Sequence, residues 1–217
     1  LAAVRAVTPP VGPTPTPTPT STATQEPAVA TSLDFSETSA SSGEFSDTAT
    51  VAARLTTSGG TPLSGREVSF TLYGAEVQQV KGTTDASGVA TADLDLRDKP
   101  GGYQLTAHYA GTAGVEEAAT ESTVFNVTRD DSALSVTMTG KGNKRVLTAT
   151  LTDADGSDGP LAGRTIYFRA NGNLVGEAKT NDDGVATFDL PAGKSGNPPY
   201  EARFHGDDYF RSSSASA

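Results

Sequence analysis

The residues best equipped for chemistry are carboxylates set in turns. From residue 152 to 159 the chain reads TDADGSDG, which places Asp153, Asp155 and Asp158 close together. A D-x-D-G run matches part of a calcium loop, because Ca²⁺ gathers several carboxylate and carbonyl oxygens, although no Glu closes the loop at its twelfth place. Asp130, Asp131, Asp182, Asp183, Asp207 and Asp208 stand in other loops of the same half of the chain. Brought to one pole, these nine carboxylates would repel. A bound Ca²⁺ would relieve the repulsion and stiffen that place. The opposing reading is that Asp is a favoured turn residue and that these loops are simply solvated.

Other chemistry is thinly supplied. Cysteine is absent, which removes disulfides, thiol catalysis and Cys-ligated zinc. The two histidines, His108 and His205, are expected on the surface and do not occupy matching places. No nucleophile elbow, metal-pair spacing or acid pair for glycoside chemistry accompanies them. No catalysis is expected, and no cofactor beyond the candidate Ca²⁺. Sugar-binding faces usually present aromatics. There is no Trp, and Tyr73, Tyr167, Tyr209 and Phe210 are the aromatics expected off the core, without forming a platform. Tyr209 and Phe210 are better placed to pack under a loop.

The elements that must position these residues come from a repeat. PLSGREVSFTL (62–72) returns as PLAGRTIYFRA (160–170), and TTDASGVATADL (83–94) returns as TNDDGVATFDL (180–190). Two matched blocks in the same order make a tandem repeat. Apolar residues alternate with period two around them, the signal of half-buried strands. In the first copy Leu33 and Phe35; Val51, Ala53 and Leu55; Val68, Phe70 and Leu72; Ala90, Ala92, Leu94 and Leu96; Tyr103, Leu105, Ala107 and Tyr109; and Phe125 and Val127 are expected to face inward, and a looser strand holds Val77 and Val80. The second copy offers Leu134 and Val136; Leu147, Ala149 and Leu151; Ile166 and Phe168; Ala186, Phe188 and Leu190; and Tyr200, Ala202 and Phe204. Short strands at about 8–12-residue spacing with Gly/Pro turns predict a β-sandwich. After Tyr209 and Phe210 the second copy runs RSSSASA, so its final strand is expected to be short or missing. A chain boundary or a strand lent by another chain would explain that.

The domain reading is therefore 1–30 for the end of a preceding module and a Pro/Thr-rich linker, 31–128 for one sandwich and 129–217 for a second. The linker, with TPTPTPT at its centre, favours extended polyproline II and offers Thr14, Thr16, Thr18 and Thr20 for O-glycosylation. The short link from Thr128 to Ser132 predicts sandwiches set nearly end to end. Formal net charge is −10, which makes nucleic acid and anionic membranes poor partners. No apolar run approaches the ~20 residues of a membrane helix.

The PL(S/A)GR entry, the T(D/N)xxG(V/A)AT turn, the Tyr109-Ala110-Gly111 and Phe204-His205-Gly206 strand ends and GDDYF at 206–210 resemble bacterial Ig-like domain repeats of adhesins, invasin-like stalks and secreted enzymes. In the first copy GTAGVEE replaces GDDYF. The resemblance implies an all-β chain of two tandem immunoglobulin-like sandwiches. It implies a non-catalytic spacer or adhesion module, extracellular or on the cell surface, in a larger bacterial protein. Its partners would be the rest of that polypeptide and an extracellular polysaccharide or protein. The alternative is an accessory binding module of a secreted hydrolase.

Overall fold

A computed structural model describes residues 28–120, 122–141, 144–191 and 198–217. The Pro/Thr linker, its threonines and residues 1–7 lie outside the described residues. Among those described there is no helix.

The first copy runs β1 (Thr31–Phe35), β2 (Ser42–Glu44), β3 (Thr48–Thr57), β4 (Glu67–Tyr73), β5 (Val77–Thr83), β6 (Val89–Asp95), β7 (Gly101–Tyr109), β8 (Ala118–Ala119) and β9 (Thr123–Thr128). One sheet has the order β1-β3-β6 and the other β2-β9-β7-β4-β5, with β8 pairing on β7. The second copy runs β10 (Ser132–Lys141), β11 (Lys144–Asp153), β12 (Thr165–Ala170), β13 (Asn173–Lys179), β14 (Val185–Asp189), β15 (Tyr200–Phe204) and β16 (Ser213–Ser216). Its sheets are β10-β11-β14 and β13-β12-β15-β16.

Each pair of sheets closes on its own apolar core. Val51, Leu55, Phe70, Leu94 and Phe125 are among the fully buried residues of the first, and Leu147, Leu151, Phe168, Tyr200 and Phe210 of the second. Because strand side chains alternate between faces, these residues stack inward while polar ones point out. The chain is thus an all-β pair of Ig-like sandwiches.

The repeated turn explains why the two copies share spelling. Gly88 and Gly184 have φ of 81° and 71°, a left-handed conformation that favours glycine. A Cβ on them would come within 2.5 Å of the Leu55 carbonyl oxygen and 2.3 Å of the Leu151 carbonyl oxygen. Asp85 Oδ1 accepts the amides of Ser87 and Val89, and Asn181 Oδ1 those of Asp183 and Val185, so both side chains cap the turn. The buried hydroxyls of Thr84 and Thr180 accept the amides of Arg66 and Arg164, tying each turn to the strand entry.

Three elements add to the sequence reading. Val77 is 64 % exposed, because residues 77 and 80 have opposite parity and β5 turns only Val80 toward the core. The segment SGE forms β2, parallel to β9, although it lacks apolar alternation. Last, of the two outcomes expected for RSSSASA, a short strand or none, the chain takes the short one: β16 has four residues and pairs with β15 from Glu201↔Ser216 to Phe204↔Ser213.

Candidate functional site

Several of the described ion pairs and most of the shifted carboxylates gather where the two sandwiches meet. From the first sandwich come the residues just after β2, Phe45 to Asp47, and Lys99 in the loop before β7. From the second come Asp130 ahead of β10, the loop after β11, and the loop between β15 and β16. Loops at opposite poles of two sandwiches thus face each other, the end-to-end arrangement expected from a short link.

An aromatic plug is at the centre. The Phe45 ring lies 4.8 Å from that of Tyr209 and 5.8 Å, edge-on, from that of Phe210. Phe210 is fully buried in the second core, so Phe45 continues that core across the boundary. Its backbone is fixed as well. The Phe45 amide donates to the Thr128 carbonyl, and the Ser46 amide to that of Leu96. Ser46 holds a φ of 66°, uncommon for a residue with a Cβ, which lets the chain reverse directly behind the plug.

Ion pairs ring the plug. Arg211 Nη1 donates to Glu44 Oε1 at 2.7 Å in the first sandwich and to Asp131 Oδ1 at 2.8 Å in the link. Lys99 Nζ donates to Asp208 Oδ2 at 2.6 Å. This hydrogen bond holds the Asp208 carboxyl below the usual carboxylate range. The link is also stitched through its backbone. The Asp130 amide donates to the Tyr209 carbonyl, and the Arg211 amide to the Asp130 carbonyl.

Below the plug, carboxylate oxygens of Asp47, Asp130 and Asp155 lie within 4.8 Å of one another. Asp130 is buried, with Oδ2 accepting from the Ser46 hydroxyl and Oδ1 from the Asp131 amide. Burial pushes its carboxyl up to about 6. Asp47 is raised too, by burial first and then by a shared hydrogen bond with Asp155. Asp155 falls to about 2, chiefly because the Ser157 amide donates to it. Asp153 is raised by burial and accepts the Asp158 amide at 2.6 Å. The arrangement suits a proton shared between Asp47 and Asp155, since one protonated partner removes the repulsion between them.

Of the nine carboxylates expected at one pole, Asp130 and Asp155 meet in this cluster and Asp153 stands beside it. Asp158 contributes its backbone amide. Asp131 and Asp208 are spent on Arg211 and Lys99. Asp207 Oδ2 lies 2.8 Å from Arg164 Nε, and its Oδ1 accepts the amides of Tyr209 and Phe210. Asp182 and Asp183 remain exposed in the turn capped by Asn181. Asp47, the first sandwich's share, was not in the sequence expectation. It belongs to the half of the repeat that looked poor in acids. The Asp47, Asp130 and Asp155 oxygens already accept hydrogen bonds from the protein, and nothing beyond their spacing points to an ion.

The remaining candidates lie apart. His108 is exposed, 4.0 Å from Glu117. His205 stacks on Tyr167, ring centroids 4.4 Å apart, a contact that period-two patterning cannot reveal.

No family model matches the chain. It is 27 % identical over 163 residues, 69 % of its length, to the inverse autotransporter adhesin YeeJ of Escherichia coli strain K12. It spans only 7 % of that relative. A solved structure of invasin, a bacterial integrin-binding protein, superposes with a TM-score of 0.51 at 19 % identity, over 87 % of this chain and 38 % of that one. A tetra-tandem repeat from the extending region of a large adhesion protein aligns over 88 % of this chain and 48 % of that one, at 17 % identity and a TM-score of 0.40. The chain is thus similar in sequence to part of a bacterial surface adhesin and has the Ig-like fold seen in invasin.

Proposed function

We propose that the chain is a non-catalytic, extracellular spacer and adhesion segment of a larger bacterial surface protein, built so that two sandwiches act as one stiff unit. The observation that carries this reading is the plug: Phe45 seated on Tyr209 and Phe210, braced by Arg211 between Glu44 and Asp131. A flexible string of domains needs no aromatic shared between cores. A spacer that holds its far end at a set distance does. Likeness to YeeJ supports the surface location, and the invasin fold is compatible with it. The accessory module of a secreted hydrolase finds no support among these relatives.

The test is small-angle scattering of the intact chain beside Phe45→Ala. With sandwiches of roughly 35–40 Å each, the expected result is one extended particle in the wild type and a broader distance distribution in the variant. A compact side-by-side pair would sink the reading.

A further inference from the structure

We propose that the outer face of the β9-β7-β4-β5 sheet is a binding surface for an uncharged, flat, equatorially linked polysaccharide. The pairing registers put Val124 opposite Gln104, Gln104 opposite Tyr73, and Tyr73 opposite Val77, so the four stand in one row across four strands. Val124 is 61 % exposed, Tyr73 47 % and Val77 64 %. The next row is Thr106, Thr71 and Gln79, where Gln79 Nε2 donates to Thr71 Oγ1 at 3.2 Å. On that side charge returns in the row after, with Lys81 paired to Glu67 and His108 near Glu117, and on the other side exposed Glu76 borders Val77 in the β4–β5 turn.

In a chain of net charge −10, a solvent-facing area without charge is a chemical choice. The second sandwich shows that the fold does not impose it. At the places that align with Thr71 and Thr106 its outer face carries Arg169 and Glu201, and its tyrosine on that face, Tyr167, aligns with Ser69 and is covered by His205. On the first sandwich no ring contact covers Tyr73 among the described residues, and its exposed ring can meet the C–H face of a pyranose. Gln104, Gln79, Thr71 and Thr106 supply neutral donors and acceptors for the ring hydroxyls around it. Strands about 4.8 Å apart make the row roughly 14 Å long, close to about three linked sugars. A protein partner or a second copy is the poorer fit. Stable protein interfaces engage about 20–30 residues a side around buried anchors, and this neutral area offers one aromatic and two valines.

The inference rests on the first sandwich alone, so its failure would leave the spacer reading standing. The experiment is NMR titration of the intact chain with cello-, xylo- and chito-tetraose. The expected result is shifts confined to the amides of β9, β7, β4 and β5. Affinity should fall about tenfold or more in Tyr73→Ala and fall in Gln104→Ala, with no change in Tyr167→Ala. Melting temperatures should match the wild type, because these side chains are exposed. No shift at millimolar saccharide would overturn the proposal, as would shifts elsewhere on the chain. Concentration-dependent self-association abolished by Tyr73→Ala would overturn it in favour of a second copy.

Discussion

At the scale of single residues, the junction carboxylates set a pH dependence whose sign follows from their environments. Asp130, Asp47 and Asp153 are raised above the ordinary value of 3.8, so the folded state favours their protonated forms. Their contribution is full below that value and is lost as pH rises, through about 6 for Asp130. Asp155 and Asp208 are lowered, so theirs is present above 3.8 and lost as pH falls, through about 2 for Asp155. Stability should therefore peak in mildly acid solution and decline toward neutrality. Asp130→Asn keeps an acceptor for the Asp131 amide and removes the buried charge. Its expected effect at pH 7 is a gain of about 1–3 kcal/mol, read as a higher melting temperature and a flatter pH profile. A rise of the wild-type melting temperature with millimolar Ca²⁺ would instead restore an ion to this place. Lys99→Ala removes an exposed pair and should lower the melting temperature only slightly, with a smaller difference at high salt.

At the scale of elements, the repeated turn makes a graded test. Gly184→Ala meets both a positive φ and a carbonyl 2.3 Å away, so it should cost about 2 kcal/mol or more. Gly163→Ala, with φ of 74° and open space around it, should cost only about 1 kcal/mol. Urea melts of the two variants compare them directly. These elements were legible because strand period, turn glycines and capping Asp85 and Asn181 are local. What escaped was not local. The strand β2 is held by backbone pairing to β9 and carries no apolar pattern of its own. The outward turn of Val77 was set by register. Asp47 entered the acidic cluster only because Phe45 carried its loop into the other sandwich.

At the scale of the whole molecule, two cores become one unit through few contacts. Truncating the plug should therefore matter more to geometry than to folding. Phe45→Ala should leave both sandwiches folded, weaken the junction by about 1–2 kcal/mol and let them reorient. Arg211→Ala should act in the same direction, because the guanidinium joins a carboxylate of the first sandwich to one in the link. The neutral outer face of the first sandwich would then be presented at a fixed angle to whatever follows. The most direct measurement is backbone amide NMR relaxation on the intact chain. One rotational correlation time shared by both sandwiches, splitting into two in Phe45→Ala, is the expected result. Separate, shorter correlation times already present in the wild type, unchanged by Phe45→Ala, would contradict a stiff junction.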